Sequence, residues 1–449
     1  MSPIRPLAIT AALLIGASLG GCSTLDKLNP FDNNKANKVV ASQGQRIPLV
    51  AFNQKVEVAE ALKGQEILVP PMQLVDSWPQ PGGPEQGWID NVAAAQNFQV
   101  AWRADIGRGT SDRFHITGTP VVADGKVFAL DAEATVAAVN ADTGQVVWRT
   151  DVAVKTRRDK EAFGGGVAYA NGKLYVSSGY RFVAALDAAS GRVLWRTATE
   201  APMHDAPAVG GGKVFAIDVN DQMVSFDAET GRADWTYQAL SEPARLIKAS
   251  APVVAGDAVI GAFASGELVA LRTSNGNVLW SQTLSRSSRT KALSEIRDIA
   301  GRPVVRQGEV FAGSHSGLFA AVDQITGQPK WSIPTTTIST PWPAGDAVYI
   351  VSKSGEVIAA SRASGQVYWI RDLNAGIEKR KKRGIFYGPV LASNRLIVTS
   401  NKGVAIALNP KNGAVLSQID IGGGGLVAPV AAHGLVYLIN TDGDLVAIR

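Results

Sequence analysis

A five-residue motif recurs seven times along this chain, and it constrains the fold more than any other sequence feature. Its first residue is Asp, Asn, Arg or Ser, its fourth is Thr, Ser or Asn, and its fifth is Gly. The copies begin at Asn140, Asp187, Asp227, Arg272, Asp323, Ser361 and Asn409. In six copies a Trp lies four residues after the Gly, and in the seventh this position is Ser417. Copies about 38–51 residues apart are typical of stacked supersecondary units.

The residues around each motif predict a β-hairpin. Apolar residues alternate before the motif, as in 135–139, which is the periodicity of a strand. Asp, Asn, Thr and Ser bond to the backbone in turns, and Gly accepts positive φ. The returning strand carries the Trp, which we expect to pack over the turn of its own or the adjoining unit. The predicted blade-locking residues are Trp102, Trp148, Trp195, Trp235, Trp280, Trp331 and Trp369.

Each unit has four predicted strands: a Pro-containing strand such as 119–122, a strongly apolar strand such as 126–130, the alternating strand and the Trp strand. The last unit, 427–449, lacks the fourth strand, whereas 98–102 is a strand without neighbours. Pairing these two predicts an all-β, eight-bladed β-propeller of four-stranded antiparallel blades, closed by an N-terminal strand that completes the last blade. An open solenoid, the alternative, would leave that edge unpaired.

The amino terminus has the features of a signal peptide. Arg5 precedes a short apolar stretch, 7–19, that is too short for a reliable membrane span. Leu19-Gly20-Gly21-Cys22 resembles a bacterial lipobox, which implies lipidation of Cys22, and Ser23 after it favours export to the outer membrane. The alternative is an ordinary signal peptide with a chance Cys. The predicted divisions are 1–21 signal peptide, 22–38 disordered tether, 39–96 extended segment and 97–449 propeller.

Composition excludes several classes of function. A formal net charge of +5 over 449 residues is too weak and diffuse to argue for nucleic-acid binding. A single Cys permits no intramolecular disulfide. The four His residues are not spaced with Cys, Asp or Glu as metal ligands would be, and the Gly-rich stretches precede no predicted helix. We therefore expect no catalytic residues, no metal and no cofactor.

The repeat Asp-x-x-Thr-Gly-x-x-x-Trp resembles the pyrroloquinoline-quinone (PQQ)-type propeller repeat from about Asn97 to Arg449. Together with the lipobox, such a propeller resembles the BamB family of lipoproteins in the outer-membrane β-barrel assembly (BAM) machinery. The resemblance implies a non-enzymatic scaffold, lipid-anchored in the outer membrane and facing the periplasm, that assists β-barrel assembly and insertion. The implied partners are a BamA-like barrel protein, through its periplasmic POTRA domains, other BAM lipoproteins and unfolded β-barrel substrates.

Two stretches strengthen the resemblance and supply candidate partner-binding residues. Residues 243–252 are similar to the segment before the family's fourth blade, and residues 293–303 to the segment before the fifth. The similarity implies an apolar contact at Leu246 and an acidic contact at Asp298. Ile247 stands where Arg is usual, with Arg245 as a displaced substitute, and Ala300 stands at a second acidic position. The candidates are Arg245, Leu246, Ile247, Glu295, Ile296 and Asp298.

Loop lengths point to the same region. Connections from the outer strand of one blade to the inner strand of the next share one face, and we expect 237–250, 282–302 and 371–387 to be the longest. Apolar residues three apart predict a short amphipathic helix over 291–299, which either binds the partner or packs on the rim. The basic run Glu378–Arg383 could contact anionic lipid or an acidic partner, although a solvated loop is the favoured interpretation.

Two other functions stay open. PQQ-dependent quinoprotein dehydrogenases have similar repeats, but that family is expected to add cofactor-stacking groups, often a vicinal Cys pair, and Ca²⁺ ligands. One Cys excludes the pair, and the sequence offers no clear ligand set. A periplasmic envelope scaffold with another partner would differ from the favoured function only in what it binds.

Overall fold

The computed structural model describes residues 56–83, 89–157, 162–242, 246, 250–284 and 296–449. Cys22, Arg245, Ile247 and Glu295 lie outside these ranges, as do the predicted signal peptide and tether. The described residues belong to one compact unit.

The described chain contains thirty-two strands in eight antiparallel sheets of four strands each. Strand β1 (Val100–Asp105) comes first in the described chain and belongs to the eighth blade. The first blade is β2 (Val121–Ala123), β3 (Lys126–Leu130), β4 (Thr135–Asn140), β5 (Val146–Asp151), and the second is β6 (Gly165–Ala170), β7 (Lys173–Ser178), β8 (Phe182–Asp187), β9 (Val193–Ala198). The third blade is β10 (Ala208–Gly210), β11 (Lys213–Ile217), β12 (Gln222–Asp227), β13 (Ala233–Gln238), and the fourth is β14 (Val253–Ala255), β15 (Ala258–Ala262), β16 (Glu267–Arg272), β17 (Val278–Thr283).

The remaining strands are β18 (Val304–Arg306), β19 (Glu309–Gly313), β20 (Phe319–Asp323), β21 (Pro329–Ile333); β22 (Trp342–Ala344), β23 (Ala347–Val351), β24 (Glu356–Ser361), β25 (Val367–Asp372); β26 (Phe386–Ala392), β27 (Arg395–Ser400), β28 (Val404–Leu408), β29 (Val415–Asp420); and β30 (Val430–Ala432), β31 (Leu435–Ile439), β32 (Asp444–Ile448). Two 3-10 turns, Glu60–Leu62 and Arg380–Lys382, also occur in the described residues. The architecture is an eight-bladed β-propeller, as the repeats predicted.

The eighth blade combines the two ends of the described chain. Its strand order is β1-β32-β31-β30, and β1 runs antiparallel to β32 with Trp102 opposite Ala447. Gln99 and Arg449 exchange both backbone hydrogen bonds at 3.1 and 2.8 Å. The predicted N-terminal strand therefore lies on the last blade and covers the edge that β32 would otherwise expose.

Burial within a blade follows the position of the strand. The second and third strands of the first blade, β3 and β4, are buried along almost their whole length, whereas the fourth strand, β5, alternates between exposed and half-buried residues. A strand covered on both sides needs a continuous apolar run, which explains the Val and Ala residues of 136–139. The core therefore lies between neighbouring blades.

Each of the seven predicted blade-locking Trp residues contacts the following blade, and the six that belong to a motif do not cover their own turn. Each indole N–H donates to a backbone carbonyl in or beside the motif of the following blade, at 2.7–3.2 Å. The pairs are Trp102–Ala141, Trp148–Ala188, Trp195–Ala228, Trp235–Thr273, Trp280–Gln324, Trp331–Arg362 and Trp369–Pro410. Of the two packing arrangements that the spacing allowed, the structure has the one that joins adjoining units.

The motif Gly is needed for two reasons, which Gly231 illustrates. Its φ is +73°, a left-handed conformation that residues with a Cβ rarely adopt. It also lies under the indole of the preceding blade, because a Cβ at this position would be 2.4 Å from Cε3 of Trp195. The turn and the Trp are thus parts of one joint between two blades.

The seventh blade has Ser417 in place of the joint Trp, because the next blade has no motif turn for an indole to cover. Ser417 lies in β29, the outer strand of the seventh blade, and its neighbour is the composite eighth blade. In that blade β1 comes from the other end of the described chain, so no motif turn connects β32 to it. An indole at 417 would lack the turn on which the other seven pack.

The propeller has two faces, which differ in what they carry. The turn face carries the motif turns and the turns between the first and second strands of each blade. The loop face carries the turns between second and third strands and the connections from one blade to the next.

The N-terminal segment, residues 56–83 and 89–99, lies along the turn face. Val58 pairs with Val367 on the sixth blade, and the Asn91 side chain donates to Asn394 Oδ1 at 2.8 Å on the seventh. Within residues 56–62 the segment forms one 3-10 turn, Glu60–Leu62.

Candidate interaction surface and central channel

The loop face carries Leu246, Ile296 and Asp298, the predicted partner-binding residues that the structure describes. The connections β13–β14, β17–β18 and β25–β26 are long, as expected from the sequence. Two others, β1–β2 and β5–β6, are of similar length, so the expectation that three stand alone was wrong. Leu246 and Asp298 lie on two neighbouring connections, β13–β14 and β17–β18.

A hydrogen bond brings these two residues together. The backbone N–H of Leu246 donates to Oδ2 of Asp298, whose side chain is only 3% exposed. A buried carboxylate gains stability from such a charge-assisted bond. Asp298 thus holds the connection that carries Leu246, and Leu246 itself is half-buried. The resemblance implied an acidic contact at Asp298, whereas the structure buries its carboxylate and bonds it within the protein.

The described end of the predicted helix is not helical. Residues 291–295 lie outside the described ranges, and 296–300 have no helical structure. Ile299 is 2% exposed and packs in a cluster with Val253, Ile260 and Leu284. Ile299 therefore packs on the propeller, which is one of the two alternatives given for this apolar surface. Ile296 is half-buried.

His315, in the turn between β19 and β20, supports the same loop and was not predicted from the sequence. Its backbone N–H donates to the Asp298 carbonyl at 2.8 Å, and its Nδ1 lies 3.3 Å from the Ile296 carbonyl. Its Nε2 contacts Nζ of Lys353 in the next blade. Burial, and secondly the charge of Lys353, lower the pKa of His315 below its ordinary value of 6.5. The neutral tautomer with hydrogen on Nδ1 satisfies both contacts.

An ion pair adds a second link between the two connections. Nη1 of Arg297 lies 3.8 Å from Oε1 of Glu242, and both side chains are partly exposed. Exposed pairs of this kind contribute little stability, about 0–1 kcal/mol. The Leu246–Asp298 bond and the buried Ile299 are therefore the stronger restraints on this surface.

The central channel is occupied by the N-terminal segment. A β-turn over 80–83 enters it, and the Gln80 side chain donates to the Val209 carbonyl at 2.8 Å and accepts from the Val209 N–H at 3.0 Å. Trp78 stacks on Trp342 with ring centroids 5.8 Å apart and planes 9° from parallel. Gln80 thus bonds to the innermost strand β10 as another strand would.

A small cavity of about 40 Å³ remains between this segment and the inner strands. It has room for about one or two water molecules. Its lining includes Trp78, Gly82, Thr119, Asp205, Arg302 and Trp342. Burial lowers the pKa of Arg302 to about 10, although the negative charge of Asp205 acts to raise it. The described residues contain no cluster of three or more His, Cys, Asp or Glu that could hold a metal ion.

Within the described ranges, no helix has the length and apolar character that crossing a bilayer requires.

Fold and repeats together define the class of this protein: an eight-bladed β-propeller built from PQQ-like repeats. The sequence profile of the family described as outer membrane protein assembly factor BamB matches residues 132–371 and 374–449. The chain belongs to the BamB family.

Individual relatives agree with this assignment. The chain is 26% identical over 356 residues to the outer membrane protein assembly factor BamB of Burkholderia pseudomallei, an alignment that covers 79% of this chain and 88% of the relative. The crystal structure of BamB from Moraxella catarrhalis superposes with a TM-score of 0.64 at 20% identity, over 78% of this chain and 99% of that one.

The fold is shared with enzymes. Quinohemoprotein alcohol dehydrogenase from Comamonas testosteroni superposes with a TM-score of 0.62 at 14% identity, over 83% of this chain and 80% of that one. A profile described as the β-propeller domain of glucose, ethanol and alcohol dehydrogenases matches residues 89–173. Identity this low concerns the fold and carries no function.

Proposed function

We propose that this protein is a non-enzymatic docking subunit of the outer-membrane β-barrel assembly machinery. It binds the periplasmic POTRA domains of a BamA-like barrel protein through the loop face at Leu246, beside other BAM lipoproteins and unfolded β-barrel substrates. It is anchored to the outer membrane by lipid on Cys22 and faces the periplasm. Membership in the BamB family, over residues 132–371 and 374–449, is the observation that carries this proposal.

The geometry of the loop face supports the proposal. Leu246 is half-buried on a long connection, and its backbone N–H bonds to the carboxylate of Asp298. The burial of Ile299 and the imidazole of His315 restrain the connection that carries Asp298. A partly exposed apolar side chain on a restrained loop binds with less loss of conformational entropy than one on a mobile loop. Blades locked by Trp joints supply the rigid support.

Co-purification tests the proposal. The full-length protein is expressed in its own cells, envelopes are solubilised in detergent, and the proteins that accompany it are identified. We expect the BamA-like barrel protein among them. Its absence from complexes that retain the intact propeller would contradict the proposed partner. Incorporation of labelled palmitate, and its loss in Cys22→Ser, tests the anchor in the same cells.

Paired variants test the docking site itself. Leu246→Asp introduces a charge at the proposed contact, and we expect it to abolish recovery of the barrel protein. Leu240→Asp is the matched control, since Leu240 lies on the same connection and is 68% exposed. Equal recovery with both variants, at unchanged thermal stability, would remove Leu246 from the interface.

A dehydrogenase is the second candidate, because the dehydrogenase propeller profile matches residues 89–173. Against it stands the occupation of the channel by Trp78 and Gln80, where their contacts leave about 40 Å³. A cofactor lying against the inner strands at this place would have to displace the stacked Trp78 or break the two Gln80 bonds to Val209. Adding PQQ and Ca²⁺ with an alcohol or an aldose and following dye reduction would distinguish the two: turnover favours the enzyme.

A further inference from the structure

A compact basic loop, residues 374–384, projects from the loop face between the sixth and seventh blades. Five consecutive cationic residues, 379–383, are exposed, and three of them form the 3-10 turn Arg380–Lys382. None of the five forms an ion pair with an acidic side chain in the described part of the chain. This concentration of one sign of charge is therefore not neutralised within the described molecule.

The basic loop is fixed at its base by Asn374, which is 4% exposed. The Asn374 amide donates to the carbonyls of Ser354 at 2.9 Å and Gly384 at 3.0 Å, and its Oδ1 accepts from the Gly384 N–H at 2.8 Å. Farther out, Arg383 Nε donates to the Ile377 carbonyl at 3.0 Å, and Lys402 Nζ donates to the Lys381 carbonyl at 3.3 Å. Both ends of the loop and its tip are thus restrained.

Restraint distinguishes this loop from a solvated run of like charges. Such a run lowers its electrostatic free energy by spreading out, whereas the bonds of Asn374 keep these cations together. Cations held at fixed positions are suited to carboxylates that are themselves fixed on a folded surface. A lipid surface has mobile headgroups, which rearrange around a flexible basic segment and require no fixed loop.

The basic loop is continuous with the Leu246–Asp298 surface. Ser354, which accepts from Asn374, follows Lys353 in the turn between β23 and β24. Lys353 contacts His315, whose backbone N–H donates to the Asp298 carbonyl. One strip of the loop face therefore runs from the fourth-blade connection across the fifth and sixth blades to the basic loop.

We infer that the basic loop is a second contact of the docking face and that it takes an acidic patch on the partner protein. This inference rests on the proposed function, because it concerns the chemistry of the partner that docks at Leu246. The apolar contact at Leu246 then contributes affinity at short range, and the basic loop contributes long-range attraction, orientation and dependence on salt.

Charge reversal tests this inference. The full-length chain and the periplasmic part of the BamA-like partner are titrated at several NaCl concentrations. We expect Arg380→Glu/Lys381→Glu/Lys382→Glu to weaken binding by at least about tenfold at low salt and to flatten the salt dependence. The control Arg192→Glu/Arg232→Glu/Lys411→Glu makes the same charge change on exposed cations of the turn face and should alter affinity less than about twofold.

The outcomes separate the two proposals. If the partner binds wild type and loses affinity in Leu246→Asp, yet binds the basic-loop reversal as tightly as wild type, this inference fails and the proposed function stands. If wild type does not bind the partner, both fail. A decrease equal to that of the turn-face control shows a net-charge effect and also overturns the inference.

Lysine footprinting distinguishes protein from lipid as the occupant. The full-length protein is placed in phosphatidylcholine nanodiscs, with and without partner, and in phosphatidylglycerol nanodiscs without partner, and acetylation of Lys379, Lys381 and Lys382 is followed. We expect the partner to slow acetylation at least about fivefold and phosphatidylglycerol to leave it unchanged. Protection by phosphatidylglycerol alone would identify an anionic lipid surface as the occupant and overturn the inference.

Discussion

Trp102 donates its indole N–H to the carbonyl oxygen of Ala141, 3.2 Å away, and so joins the composite eighth blade to the first. Tyr437, in the second strand of the eighth blade, donates its hydroxyl to the same oxygen at 3.2 Å. The junction thus uses the Trp joint found at six of the other seven junctions, although one of its blades is assembled from both ends of the described chain.

Removing the indole at this junction should open the ring. Trp→Ala in a packed site costs about 3–5 kcal/mol, and for the half-buried Trp102 we expect about 3 kcal/mol together with faster amide exchange of β1. Trp148→Ala removes an equivalent joint where the chain is continuous, and should destabilise similarly while β1 stays protected. Unchanged exchange in β1 of Trp102→Ala would show that closure does not depend on this joint.

A Gly→Ala pair in one blade isolates the contact between Trp and turn. Gly231 and Gly212 have φ of +73° and +74°, so Ala adds similar backbone strain at both. At Gly212 nothing lies within 4 Å of the new Cβ, whereas at Gly231 it overlaps the Trp195 ring. We expect Gly231→Ala to lower the free energy of unfolding by about 1–3 kcal/mol more than Gly212→Ala. Urea denaturation measures both, and equal losses would contradict the joint.

The blades were predictable because their signals are local. Strand alternation, the Asx turn at residues such as Asp227 and the offset of Trp235 all lie within a few residues. Asp227 Oδ1 accepts from the N–H of Thr230, as the sequence implied, and also from its hydroxyl. Spacing along the chain does not say which turn an indole covers, so the choice between a blade's own turn and the next one required the structure.

The channel and the Leu246–Asp298 surface were less predictable, because their contacts are long-range and occur once. Gln80 bonds to Val209, 129 residues away, and neither residue belongs to a recognisable pattern. Apolar residues three apart predicted a helix over 291–299, but its described end, 296–299, is not helical, and Ile299 is buried against blade residues. The sequence marked Asp298 as acidic without showing that its carboxylate is buried.

The channel segment should contribute to stability through Gln80. Gln80→Leu keeps the approximate volume but leaves the buried N–H and carbonyl of Val209 without this side chain, which costs about 1–3 kcal/mol. Gln73→Leu, at an exposed side chain of the same segment, is the control. We expect faster amide exchange in β10 for Gln80→Leu alone. Identical urea midpoints for the two variants would mean that the Gln80 bonds are not stabilising.

Acid should loosen the 296–301 loop through His315. The pKa of its imidazole is held below 6.5 in the folded protein by burial and by Lys353, so the unfolded chain takes up a proton first as pH falls. The stabilisation is therefore present above about pH 6.5 and is lost as pH falls from there towards the folded pKa. Protonation would place an N–H against the Lys353 ammonium.

Amide exchange of 296–301 at pH 7.5 and 5.5, corrected for the intrinsic effect of pH, measures this loosening. We expect protection to fall at pH 5.5 in wild type and to be independent of pH in His315→Asn, which cannot titrate. Lys353→Met removes the neighbouring charge, so the pKa of His315 rises and the loss of protection becomes smaller. The same pH response in wild type and His315→Asn would show that another group controls the loop.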